Sequence, residues 1–305
     1  MGILRRLGGL VIVFLGVTLL IYFLVFALPG DPIRALGGDH PLPDAVVRAL
    51  RAKYHLDEPF FEQYVRYLGG LLHGDFGVDF EGNSVAGQMA ARWPVTITLA
   101  LTAWLFEIVL GIGLGMLSAL TKGTMLDRGI LGGTIVVSAI PVFVLGVTAQ
   151  LLFSVKWKVF PVAGTVQGWP LSYILPALVI ACFGLAAVSH LTRTSMLDNL
   201  SADYVRTARA KGLTSSRVIG VHVMRNSLIP TVTYLATDLG YLLGGTVVIE
   251  GIFNLPGVGN LLFAAIRAHE GATVVGISTA LIIVFLLTSL AVDALHAVLD
   301  PRVRR

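Results

Sequence analysis

Apolar runs of about twenty residues recur along this chain of 305 residues, and each is long enough to cross a hydrocarbon layer of about 30 Å as a helix. Only 13% of the residues are charged and the mean hydropathy is +0.82, where a soluble domain would be about a quarter charged. A soluble helical protein with these segments in its core would need a polar surface that this chain lacks. The sequence therefore specifies an all-α integral membrane protein. Six transmembrane helices are expected, over 8–28, 95–120, 130–154, 172–192, 229–249 and 273–295.

Lys and Arg in the connecting segments set the orientation. With the amino terminus inside, Arg5, Arg6, Lys122, Arg128, Arg193, Arg206, Arg209, Lys211, Arg217, Arg225, Arg302, Arg304 and Arg305 fall on inner segments. The outer segments are together about twice as long and hold fewer, so both termini are expected in the cytoplasm. Arg5 and Arg6 precede an apolar stretch too long for a signal peptide, and no small-residue cleavage site follows it, so it reads as a retained first span. The net charge of +4 reflects the basic inner segments and does not indicate a nucleic-acid partner. The single cysteine, Cys182, lies inside an apolar run, and no His or Cys cluster has metal-binding spacing.

Three parts follow: 1–28, the amino terminus and first span; 29–93, a long external loop; and 94–305, a five-helix core with an inner loop at about 193–228. In the external loop, "PDAVVRALRAKY" aligns Val47, Leu50 and Tyr54, and "FFEQYVRYLGGLL" aligns Phe61, Tyr64, Leu68 and Leu71. These patterns predict two short amphipathic helices, with Pro43 and Pro59 at their starts. Gly111 and Gly115, Gly129 and Gly133, and Gly240 and Gly244 have the small-residue spacing that lets helices approach closely in lipid. Pro141 lies within the third span and is expected to kink it. Glu107 and Asp238 fall near the middle of the second and fifth spans. A carboxylate at such a depth costs about 3 kcal/mol, so each is expected to face protein or water. Both are candidates for a translocation path or, equally, for an interhelical hydrogen bond. Asp293 lies nearer an interface.

The inner loop carries the densest local information. It reads "RTSMLDNLSADYVRTARAKGLTSSRVIGVHVMRNSL". Ser201 or Asp203 is expected to cap a short helix, Gly212 to end it in a left-handed turn, and Thr214 or Ser215 to cap the next. Val205, Ala208 and Gly212 then fall within about 60° of one another at about 100° per residue, opposite Arg206 and Arg209. A helix lying on lipid would carry bulky apolar residues. A small, smooth face instead suggests docking into another protein's groove.

"DYVRTARAKGL" at 203–213, followed by "HVMRNSLIP", resembles the cytoplasmic coupling loop of ABC-transporter permeases of the dipeptide/oligopeptide type. That resemblance extends over nearly the whole chain. "PGDPI" at 29–33, "LDEP" at 56–59, "QYVRYL" at 63–68 and "GDFG" at 74–77 are similar to the family's first outer loop. "FPVAG" at 160–164, "ILPALVIA" at 174–181, "LLGGTVVIEGIFNLPGVGNLL" at 242–262 and "LDPRVR" at 299–304 follow in the family's order. The general importer pattern Glu-Ala-Ala-x-x-x-Gly is met by Arg206, Thr207, Ala208 and Gly212, with the Arg-Thr-Ala form of the peptide branch. His55 stands where the family has Gly, and "RAHEG" at 267–271 where it has Arg-Asp-Tyr-Pro.

The resemblance implies the fold of a type I ABC importer permease in a bacterial inner membrane. It implies a second, paralogous permease as partner, so that each forms half of the path. Two ATPase subunits, separate or fused, would dock on the coupling loops, and an external binding protein would deliver a peptide. It also implies that Val205, Arg206, Thr207, Ala208, Arg209, Ala210, Lys211, Gly212 and Leu213 form the ATPase-coupling segment. Nickel or glutathione are alternative cargoes within the family.

No G-x-x-x-x-G-K-[ST] phosphate loop occurs, so the chain is not expected to be an enzyme or to bind a cofactor; ATP and Mg would be used by the partner subunits. A proton-driven secondary transporter working through Glu107 or Asp238 would need no coupling loop, and inverted repeats are not evident. An intramembrane protease is disfavoured because H-E-x-x-H is absent and Asp238 and Asp293 lack a catalytic context.

Overall fold

The structure is a computed structural model that describes residues 3–26, 43–53 and 57–299. The "PGDPI" segment, Tyr54, His55 and the residues from 300 to 305 lie outside the described residues, as do the side chains of Leu50 and Asp293. The helices run in order: α1 (Ile3–Phe26), α2 (Asp44–Lys53), α3 (Phe60–Leu71), α4 (Val85–Leu120), α5 (Met125–Ala139), α6 (Val142–Lys156), α7 (Leu171–Leu200), α8 (Asp203–Ala210), α9 (Ser215–Ile252), α10 (Val258–Arg267) and α11 (Gly271–Leu299). In α1, α4, α7, α9 and α11 a stretch is long and apolar enough to cross a membrane, and α5 with α6 makes a sixth when the bent pair is taken as one span. Five of the six expected spans are present as long apolar helices, and the third is the bent pair α5 and α6.

Their limits differ from those read off the hydropathy. α4 begins at Val85, so residues 85–93, assigned above to the external loop, are its first turns. Pro94 sits within it without ending it. α9 likewise begins at Ser215, well before the apolar run at 229. Helices continue as long as backbone hydrogen bonding and side packing favour them, whereas hydropathy marks only the part in contact with hydrocarbon. At Pro141 the expected kink is a break, with α5 and α6 bent by 98°. Ile140 is extended and Pro141, which has no N–H to donate, stands at the N-cap of α6.

The chain divides into two compact units, Met1–Thr96 with Pro256–Leu287, and Ile97–Leu255 with Thr288–Arg305. In the first, Val85 and Met89 pack with Val258, Leu261, Ile277 and Ala280. Gly276 permits this closeness, because a Cβ there would collide with the Phe76 carbonyl. A second cluster joins Tyr22 of α1, Tyr64 of α3 and Val275 of α11. Tyr64 donates to the Leu15 carbonyl at 3.0 Å and shares a hydrogen bond with Thr18 at 2.9 Å, while Tyr67 donates to Thr279 at 2.7 Å. Both short amphipathic helices of the external loop are present, and Val47 and Tyr64 are buried as expected. Phe61, expected on the packed face, is 71% exposed; Phe60 and Tyr67 pack in its place. Ahead of α4, Asp79 accepts from the Asn83 backbone at 2.7 Å and from the Gln88 amide at 2.8 Å. Burial works against its charge, but these bonds hold the Asp79 carboxyl below its usual range.

The second unit is organised around α7. Of its apolar window 56% is buried, against 33% for α4 and for α9. A helix apolar on all sides belongs at the centre of a bundle. Gly111 and Gly115 of α4 lie directly on α7: a Cβ on Gly111 would come within 2.5 Å of Val188 Cγ1, and one on Gly115 within 2.5 Å of the Ser189 carbonyl. That pair meets its predicted role in close helix approach. Around Gly129, Gly133 and Gly244 there is open space in the isolated chain.

Candidate functional site

The loop between α7 and α9 folds as read: short helix, turn, next helix. Gly212 adopts φ +77°, which an L side chain rarely takes. The Gly212 N–H donates to the Arg209 carbonyl at 2.9 Å and the Leu213 N–H to the Ala208 carbonyl at 3.3 Å. These two bonds form a Schellman stop, and Leu213 adds its usual apolar contact by joining the cluster that holds Ala208. Of the expected caps only Thr214 stands at an N-cap. Ala202 occupies the N-cap of α8 and Thr214 that of α9, and neither accepts a side-chain cap bond. Ser201 instead donates to the Asp198 carbonyl at 2.8 Å. Asp203 lies in the first turn, where its charge suits the helix dipole, 3.7 Å from Arg206.

The small face of α8 is turned the opposite way from the expectation. Val205 is 0% and Ala208 7% exposed, and both belong to one apolar cluster with Ala119 of α4, Met196 of α7, and Val218 and Val223 of α9. Its groove is supplied by the chain's own helices. Small residues are needed because three backbones converge there. What α8 presents outward is Asp203, Tyr204, Arg206, Thr207, Arg209 and Ala210, with Lys211 and Gly212 exposed at the turn. The Arg206 side chain is 80% exposed, and its pairing with Asp203 is a surface contact of little energetic weight.

Beside this seat Arg193, one of the basic residues that set the expected topology, forms an ion pair with Asp127. The Arg193 guanidinium donates from Nε to Asp127 Oδ1 at 2.8 Å and from Nη2 to Oδ2 at 2.9 Å. Ser118 donates to Oδ1 at 2.5 Å and the Gly123 backbone to Oδ2 at 2.9 Å. Asp127 thus gathers the end of α4, the turn at 121–124, the start of α5 and the carboxyl-terminal part of α7. The only hint in the sequence was an acidic residue in the short basic turn "TKGTMLDRG".

Glu107 and Asp238 are brought together, with Glu107 fully buried and Asp238 3% exposed. Their carboxyl groups lie close enough to act on one another, and Tyr234 reaches Asp238 at 3.4 Å. Glu107 lies flat against Gly184 of α7, where a Cβ would overlap its carboxyl group. Both are enclosed by the chain's own helices. Glu250 of α9, passed over in the sequence, is also fully buried.

Helices apolar and long enough to cross a membrane, with a short basic helix seated on α4, α7 and α9, define a polytopic integral membrane protein. The chain belongs to the binding-protein-dependent transport system inner membrane components: that family matches residues 111–305, and its amino-terminal part matches residues 2–100. It is 34% identical to the dipeptide transport system permease protein DppB of Escherichia coli (strain K12), over 99% of this chain and 98% of that protein. It is 35% identical to the glutathione transport system permease protein GsiC of Escherichia coli O1:K1 / APEC, again over 99% and 98%. Among solved structures it shares its fold with a chain of the inward-facing MetNI methionine ABC transporter, at a TM-score of 0.57 and 16% identity, over 70% of this chain and 96% of that one.

Proposed function

We propose that the chain is one of two paralogous permease subunits of an ATP-driven peptide importer of a bacterial inner membrane. α8 is its contact with the ATPase subunits, and both termini face the cytoplasm. The observation that carries this reading is α8 itself: a short helix with a fixed stop, seated on an apolar cluster and presenting Arg206, Arg209 and Lys211 outward. A seated helix with an exposed polar face can both bind a partner and pass its motion inward. The coupling segment 205–213 is thereby divided in role, with Val205 and Ala208 holding the seat and the exposed residues making the contact. Relatives named for dipeptide and glutathione transport support a short peptide as cargo. The external binding protein would select it.

For Glu107 and Asp238, enclosure by the chain's own helices supports a structural role over a place on an open path. The test of the whole reading is uptake by proteoliposomes holding this chain, its partner permease, the ATPases and the binding protein. Labelled dipeptide should accumulate only with ATP. Uptake sustained by a proton gradient without ATP would overturn it.

A further inference from the structure

We propose that Asp127 and Arg193 are positioning residues for coupling: their buried ion pair makes α4, α5 and α7 move as one body when α8 is displaced. This rests on the reading of α8 as the ATPase contact. The argument begins with the seat. α8 lies on Ala119 of α4 and Met196 of α7. The residue before Ala119 is Ser118, which donates to Asp127, and Arg193 stands one helical turn before Met196. The surfaces that α8 would push are therefore continuous with the two helices held by the ion pair.

α5 needs such a tie. Its covalent link to α4 is the short turn 121–124, in which Gly123 has φ +82°. A turn built on glycine is a poor transmitter of force, because its backbone yields readily. Asp127 removes that freedom. Each of its oxygens accepts two hydrogen bonds, one from Arg193 and one from the end of α4 or the turn after it. The side chain is 4% exposed, against 20% for Arg193. A bidentate guanidinium fixes both distance and angle, which a single contact or a lysine would not do. Further along, Ser138 of α5 donates to the Cys182 carbonyl of α7 at 2.9 Å. α5 is thus fastened to α7 at both ends, and the break at Pro141 follows directly.

The test uses the full complex in proteoliposomes, with Asp127→Asn, Arg193→Gln, Arg193→Lys and the double variant Asp127→Asn/Arg193→Gln. It reads peptide imported per ATP hydrolysed, together with subunit co-purification. Asp127→Asn and Arg193→Gln are expected to assemble and to hydrolyse ATP near the normal rate, while import per ATP falls about fivefold or more, and the double variant is no worse than either of them. Arg193→Lys keeps the charge without the fork and should fall between. An unchanged import ratio in the single variants overturns the proposal. So does a loss of transport that merely tracks loss of assembled complex, or failure of every variant to reach the membrane, since either makes the pair a folding element only. The underlying reading fails separately: if Arg206→Glu/Arg209→Glu leaves ATPase binding intact, α8 is not the contact, whatever the ion-pair variants do.

Discussion

Two variants of α8 separate its seat from its contact. Val205 is 0% exposed in the cluster with Met196, Val218 and Val223. Val205→Ala removes two methyl groups, a transfer loss of about 1.5 kcal/mol. The void left among these side chains raises that to about 2 kcal/mol. The equilibrium between seated and unseated α8 should then shift about thirtyfold. Hydrogen exchange of the α8 amides in the detergent-solubilised protein reads this directly, because local opening sets the exchange rate. Arg206→Glu/Arg209→Glu alters only exposed side chains. It should leave that exchange rate unchanged and abolish retention of the ATPase subunits during purification. Unchanged exchange in Val205→Ala would show that the cluster does not hold the helix. Loss of ATPase retention in Val205→Ala without faster exchange, together with normal retention in the Arg variant, would make the small face the docking surface and refute the division of roles.

Gly115→Ala places a Cβ 2.5 Å from the Ser189 carbonyl and 2.7 Å from Thr192 Cβ, so α4 and α7 must part; a loss of about 1–3 kcal/mol is expected, and a wild-type melting temperature would contradict it. Gly212→Ala meets no neighbour within 4 Å but must hold φ +77°, which costs about 1–2 kcal/mol, seen as faster exchange confined to the end of α8; Gly212→Asn should be milder. Glu107→Gln and Asp238→Asn keep the shapes and hydrogen-bonding capacity of a buried pair between α4 and α9, so each should retain peptide uptake, whereas Glu107→Ala should lower the melting temperature. Uptake lost in Asp238→Asn with unchanged melting would place that carboxyl on the path instead.

What the sequence made legible follows from which constraints are local. Lipid requires long apolar runs of any helix that crosses it, so six spans could be found one at a time. The limits of α4 and α9 depend on packing beyond the hydrocarbon, so hydropathy placed them late. Gly212 was legible because a positive φ is a demand on one residue. The direction of the small face was not. Val205 and Ala208 say how closely a surface must approach α8, but Met196 and Ala119, which supply that surface, come from other helices. The ion pair is the sharper case. Asp127 and Arg193 are separated by 66 positions, and a basic residue on an inner segment already had a sufficient explanation in topology. One charge can set orientation during insertion and hold a helix afterwards. Topology counts charges without regard to geometry, so only the fork of two bonds onto Asp127 distinguishes the second role. The other basic residues of the loop divide by the same criterion. Arg206 makes one surface contact at 3.7 Å and stays 80% exposed, so its charge remains available to a partner. Arg193 has already been committed within its own chain.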